Sequence, residues 1–354
     1  MTKVVNNNKR IYYIDVLRVI ACLSVIMVHS SANYVIKDFG STNFWIGNIL
    51  DSISRICVPL FIMISGALLL DEKYMYSKEK NKHHIKKMII FFIFWSFLYC
   101  LIFQIIGQVL IEHKPIDIAN VFLSFIQGHY HLWFVYLIIG LYLILPLLRL
   151  WVNANNKKQI EYFIILSIVF TYIIPQIISI GSNYSDYFLN LKDIIENKLC
   201  IKYIGGFTTY FILGWYLNNY EIKHKNKLYI LGIIGLLITI IGTYIISIST
   251  GKEAQMYGNL SLNVLLQTLM VFIIVKTKFK NSDRNNKLVM AISNNSLGIY
   301  AIHALVATIL NRIIVKIGFQ NALINIPIVF IGTFIISFIL SYFLSKIPVL
   351  KRII

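Results

Sequence analysis

Three ionisable residues interrupt an apolar stretch that is long enough to cross a bilayer. Within YYIDVLRVIACLSVIMVHSSANYVIK, residues 12–37, they are Asp15, Arg18 and His29. Such groups are costly inside a spanning helix and tend to mark function. Arg18 and His29 lie eleven residues apart. At about 100° per residue that is three turns plus about 20°, so both occupy one helix face. Asp15 falls one turn before Arg18 on the same side. The rise from Arg18 to His29 is about 16 Å. A cation at one level and an imidazole at another suit chemistry carried through a membrane. The guanidinium could hold phosphate or pantetheine groups of a donor, and the imidazole could deprotonate an acceptor hydroxyl. The plainer readings are an Asp15–Arg18 pair that anchors the helix end and a satisfied structural histidine.

Further polar groups stand in other apolar runs. DSISRICVPLFIMISGALL places Asp51 and Arg55 four residues apart, the spacing of a local ion pair. Pro59 is positioned to kink that span and open backbone groups. Ser65 and Gly66 lie near its end, where small residues allow close helix packing or close approach of a ligand. HYHLWF carries His129, His131 and Trp133, which also read as interfacial residues. SNNSLGIYAIHALV carries His303.

These residues need a membrane scaffold to position them. The chain has 354 residues, 58% hydrophobic and 14% charged, and a mean hydropathy of +0.71. A soluble domain of this size could not hide so much apolar surface, so the fold class is an all-α, polytopic transmembrane bundle. Apolar runs bounded by charge give ten expected spans, near 12–35, 44–70, 87–111, 131–151, 160–180, 202–219, 227–249, 258–277, 288–314 and 323–346. With the N-terminus in the cytoplasm, cytoplasmic segments hold 23 of the 33 Lys and Arg residues and outer segments hold 8. That bias predicts cytoplasmic N- and C-termini and accounts for much of the net charge of +18. The basic loops then face anionic lipid, and nucleic acid is not expected as a partner. The Lys/His-rich stretch 73–87 reads as a solvated cytoplasmic loop, with docking of an anionic cofactor as the alternative. Residues 1–354 read as a single membrane domain, because the outer loops are too short to fold alone. The first stretch is too long and too charged for a signal peptide and is expected to remain in the mature protein. No internal repeat is obvious.

Cys22, Cys57, Cys100 and Cys200 show no metal or redox spacing and read as reduced core residues, with no metal site expected. There is no P-loop, GxGxxG, GxSxG or HExxH pattern. With the direction of each span set, Arg18 lies about 9 Å deep from the cytoplasmic side and His29 about 25 Å deep. His303 lies about 22 Å deep from the same side. His29 and His303, with the histidines of HYHLWF, are therefore expected to converge toward the outer face.

Arg18 followed by His29, PLFIMISG in the second span, HLWF at 131–134 and SLGIYAIH at 296–303 resemble the acyltransferase-3 family of integral-membrane O-acyltransferases. The segments IYYIDVLRVIACLSVIMVHSS, VPLFIMISG and SLGIYAIHAL are most similar to the branch that contains the enterobacterial common antigen and surface polysaccharide O-acetyltransferases. The resemblance implies a bundle of ten spans in the cell (inner or plasma) membrane. It implies transfer of an acyl group, usually acetyl, from cytoplasmic acyl-CoA (acetyl-CoA) to a glycan hydroxyl on the outer side. It maps the family's essential arginine and histidine onto Arg18 and His29, and its serine-glycine motif onto Ser65 and Gly66. The expected catalytic residues are His29, Arg18 and His303. Arg55, Asp15, Ser65, Gly66, His131 and Trp133 are expected to bind substrate. The hydrolase-like outer domain of some members is not expected. The competing reading is a transporter of polysaccharide or lipid-linked sugar, whose buried charges would line a substrate path.

Overall fold

A computed structural model describes residues 10–72, 77–111, 117–154, 156–195, 204–252, 255–282, 286–319 and 321–351. The described residues are mainly helical, and no strand occurs among them. The helices are α1 (Tyr12–Val35), α2 (Thr42–Ser54), α3 (Cys57–Leu69), α4 (Lys78–Cys100) with a π-helical continuation (Leu101–Ile111), α5 (Ile118–Gln127) and α6 (Trp133–Ala154). Then follow α7 (Lys157–Ser167), which runs through a π-helical turn (Ile168–Ile173) into α8 (Ile174–Gly181), and α9 (Asp186–Asp193), α10 (Phe207–Asn219) and α11 (Lys225–Thr250). The chain finishes with α12 (Leu262–Phe279), α13 (Lys287–Lys316), α14 (Ala322–Leu344) and α15 (Pro348–Lys351). Polar caps start several of them: Ser41 accepts from the Phe44 amide, Asp117 from those of Ala119 and Asn120, and Asn286 from those of Leu288 and Val289.

Nine helical stretches among the described residues are long and apolar enough to cross a membrane. The expected span at 202–219 is not one of them. Its helix, α10, has only 13 residues, about 20 Å against a hydrocarbon core of about 30 Å. Gly206 sets its start, with φ 57° and ψ −140°, a conformation open to glycine alone. α10 is shielded instead of spanning on its own merits, since most of its residues are buried. The stretch 73–87 also departs from the expected loop. From Lys78 it is helix, the first turns of α4, capped by the Ser77 hydroxyl on the Lys80 amide.

The second span is broken at Arg55–Ile56, between α2 and α3. Pro59 is the cause, acting four residues upstream: it has no amide to give the Arg55 carbonyl, and its ring crowds that group. The break falls at the residue that later faces the cavity.

α1 and the α2–α3 pair form the centre. Of their most apolar stretches, 56% and 61% of the residues are buried, against 28% for α6 and α14. α1 packs on α2, α3, α12, α13 and α14. α3 and α10 touch through Gly66 and Gly214, each set against the other helix's backbone. The outer helices show isoleucines outward, for example Ile233, Ile241 and Ile245 on α11 and Ile328, Ile331 and Ile335 on α14. Water would not tolerate such faces, but lipid does. Cys22, Cys57 and Cys100 are free and buried. Cys200 lies outside the described residues.

Candidate active site

α1 and α13 run side by side in the same direction. Arg18 meets Ser293 and, eleven residues on, His29 meets His303. The periodicity that puts Arg18 and His29 on one face of α1 thus aims both at a single partner helix. Two polar stations result, separated by about 16 Å of helix rise.

The first station is built on Asp15, which is 3% exposed. Arg10 holds it with two hydrogen bonds, Nε to Oδ2 at 2.5 Å and Nη2 to Oδ1 at 2.9 Å. The Ser293 hydroxyl donates to Asp15 Oδ1 at 2.6 Å and accepts from Arg18 Nη1 at 3.1 Å. Arg18 Nη1 also lies 3.7 Å from Asp15 Oδ1. Two guanidiniums face one carboxylate, so the station keeps a positive charge. Its neighbours come from the ends of other spans. Arg149 donates to the Leu69 carbonyl at 2.6 Å, and Lys276 to the Leu217 and Asn218 carbonyls. The α1 and α13 beginnings and the α3, α6, α10 and α12 ends therefore gather on one side.

The second station is a cluster of imidazoles and phenols. The His29 ring is 5.1 Å from that of His303 and 5.1 Å from that of Tyr130. His303 is wholly buried. Its Nδ1 lies 2.6 Å from the Tyr300 carbonyl. A carbonyl can only accept, so Nδ1 carries the proton and Nε2 offers its lone pair. Among the described residues His303 Nε2, which is buried, has no hydrogen-bond partner. His131 packs against His303 at 5.3 Å between rings, and its Nδ1 is 3.0 Å from His129 Nδ1. The His129–His131 rings, joined by that hydrogen bond, are 5.2 Å apart and steeply inclined, whereas the His29 and His303 rings, 5.1 Å apart, are tilted by 35°. Tyr300 donates to the His131 carbonyl, and Tyr99 donates to the Ala301 carbonyl at 2.8 Å while stacking on His129 at 4.4 Å. These bonds tie the loop before α6 to α13. Burial pushes His129 down to about 4, so it is a neutral donor or acceptor at ordinary pH.

His29 opens onto a cavity of about 1190 Å³. Arg55 lines it too, held by Asp51 through Nε at 2.6 Å and laid 4.1 Å over the Tyr257 ring. Ser31, two residues beyond His29, donates to the other Asp51 oxygen at 3.2 Å. Arg55 is thus fixed in orientation beside the imidazole.

The remaining expected residues are placed elsewhere. Ser65 donates to the Phe61 carbonyl at 2.9 Å. Gly66 is closed off by the Phe211 backbone, which a Cβ would meet at 1.8 Å. That face serves the α3–α10 contact and leaves no room for a ligand. Trp133 is 39% exposed and meets Phe207 and Phe134, not the histidines. Among the described residues no group of His, Cys, Asp or Glu is arranged to hold a metal ion.

The family model of the acyltransferase 3 domain matches residues 11–342, which takes in both stations. The chain belongs to the acyltransferase-3 family. No curated protein and no solved structure gives a match. As a member, the chain is a multi-pass membrane acyltransferase, and the arrangement has to bring an acyl donor and an acceptor together. Sequence reasoning missed several residues that build this acyltransferase's stations. Ser293 precedes His303 by ten residues, nearly the Arg18–His29 interval, and that echo was a usable signal. Tyr300, one turn before His303, was another. Tyr99 and Tyr257 reach the stations only through tertiary packing and left no local pattern.

Proposed function

We propose that this acyltransferase moves an acetyl group from cytoplasmic acetyl-CoA to a hydroxyl of a cell-surface polysaccharide or lipid-linked glycan on the outer side of the cell membrane. It would act as one domain, in the manner of the surface polysaccharide O-acetyltransferase branch it resembles. The observation that carries this reading is the pairing of two stations on one helix. A net-cationic station at Arg18 suits the phosphates of CoA. His29, at the cavity wall and backed by His303, suits an acceptor hydroxyl.

In the reaction, a base takes the hydroxyl proton as the oxygen attacks the thioester carbonyl. The oxyanion collapses and expels the CoA thiolate, which regains the proton from the imidazolium. His29 is the group that touches the acceptor. His303, with Nδ1 locked on the Tyr300 carbonyl, leaves Nε2 to orient His29 or share its proton. Arg55 stands where negative charge on the carbonyl oxygen would develop. A donor held at Arg18 must span about 16 Å to reach His29.

The test uses purified protein in vesicles with labelled acetyl-CoA and a glycan acceptor. Free CoA and labelled glycan are expected together, and His29→Ala should lose both while keeping expression and melting behaviour. Glycan movement without CoA release would favour transport. Full activity of the His29→Ala protein would remove the base from the scheme.

A further inference from the structure

The cavity beside His29 carries cations that the acyl-transfer chemistry leaves unused. Arg312 and Lys316 line it on α13, four residues apart and so on one face. Both are exposed. No carboxylate among the described lining residues stands with them, and no ion pair is formed by either among the described residues. Arg55, the third cation of the wall, is already answered by buried Asp51. The net positive charge of the cavity therefore sits at Arg312 and Lys316. Lys316 is in the last turn of α13, where a cation favours the helix end anyway, but Arg312 is a turn earlier.

Their surroundings are apolar. Ile309, Ile313 and Val315 are 49%, 48% and 63% exposed, and Phe103 and Ile106 of the π-helical segment face them across the cavity. Cations among outward apolar side chains at the end of a spanning helix mark the depth of lipid headgroups. The same cavity reaches inward to His29. A hydrophobic flank, a cationic rim and a polar floor ask for an amphiphilic anion with a polar extension.

We propose that the acceptor is a glycan carried on a lipid phosphate, with the phosphate held by Arg312 and Lys316, the lipid along the apolar flank, and the glycan reaching His29. This rests on the acyl-transfer reading above. Arg312 is nine residues beyond His303, about 14 Å along the helix, and Lys316 about 20 Å. The acetylated hydroxyl would then lie well away from the phosphate, on a sugar further along the glycan.

The experiment offers the protein, in phosphatidylcholine vesicles, one glycan in two forms: linked to a polyprenyl phosphate, or to a neutral alkyl chain. The wild type should favour the phosphate form about tenfold or more in kcat/KM. The double variant R312Q/K316Q should raise KM for that form by a similar factor, leave kcat within about twofold, and treat the neutral glycoside as the wild type does. R312K/K316R should restore most of the preference. Equal use of both forms by the wild type, or equal loss on both in R312Q/K316Q, would overturn the proposal. A second arm needs no turnover. Binding of glycan-free polyprenyl phosphate should be lost in R312Q/K316Q, and phosphatidylglycerol should not compete. Competition at equal strength would reduce the rim to general lipid attraction and overturn the assignment. Intact phosphate-lipid binding without any transfer from acetyl-CoA would refute the acetyltransferase reading and spare the site.

Discussion

Replacing Gly66 by alanine separates helix packing from ligand binding. The new Cβ would lie 1.8 Å from the Phe211 carbonyl oxygen, about 1.2 Å short of the 3.0 Å that real Cβ atoms keep. The obstacle is α10 backbone, so no rotamer change relieves it. α3 and α10 must part, and a gap of 0.5–1 Å already forfeits about a quarter to a half of each dispersion contact along the seam. Overpacking of this kind costs about 1–3 kcal/mol, occasionally more. The better helix propensity of alanine returns up to about 1 kcal/mol. The net loss is about 2 kcal/mol at the upper part of that range. Gly214→Ala presents the same clash from the other side, at 1.9 Å from the Met63 carbonyl oxygen, and should lose a similar amount. Gly140→Ala, with nothing within 4 Å, is the control and should melt no lower than wild type. Thermal unfolding in detergent, followed by size-exclusion of the surviving protein, reads all three. An unchanged melting point in Gly66→Ala together with a selective rise in KM for the donor would refute the packing assignment.

Asp15→Asn should lower stability by about 1–3 kcal/mol, because Arg10 and Arg18 then face each other without the carboxylate. Thermal melts of the purified variant check it. His303→Gln, which keeps an amide near Nε2, should reduce kcat about ten- to a hundredfold with KM for the acceptor little changed, as expected of a group acting through His29; single-substrate titrations decide this. His129 has its pKa lowered to about 4, so the unfolded chain takes up a proton first as pH falls. Its contribution to stability is present above about pH 6.5 and is lost as pH drops toward 4. His129→Gln should flatten the fall in melting temperature across that window, and a parallel fall in both proteins would contradict it.

The parts of the site set by periodicity were legible in the sequence. Arg18, His29 and the Asp51–Arg55 pair follow from helical spacing, and His303 from its depth in a span. Pairings that depend on which helices meet were not. Ser293 joins Asp15 to Arg18 across 275 residues, and Gly66 finds α10 rather than a ligand. The short α10 escaped for a related reason: a helix walled by protein on most sides need not be long and apolar. The break of the second span was anticipated at Pro59 and occurs at Arg55, since the proline acts on the carbonyl four residues before it. Arg312 and Lys316 counted only as outer charges until the fold put them beside His29.

The alliance of α1 with α13 also bears on how the protein is made. The first helix enters the bilayer with an aspartate, an arginine and a histidine whose lasting partners are encoded more than 270 residues later. Arg10, five residues from Asp15, is the one strong partner available at once, and its bidentate grip chaperones the carboxylate until α13, the eighth long helix, is threaded. Until then no His29–His303 contact exists, so on the acyl-transfer reading proposed above a ribosome-bound or truncated chain would hold half of the histidine station and could not spend its donor.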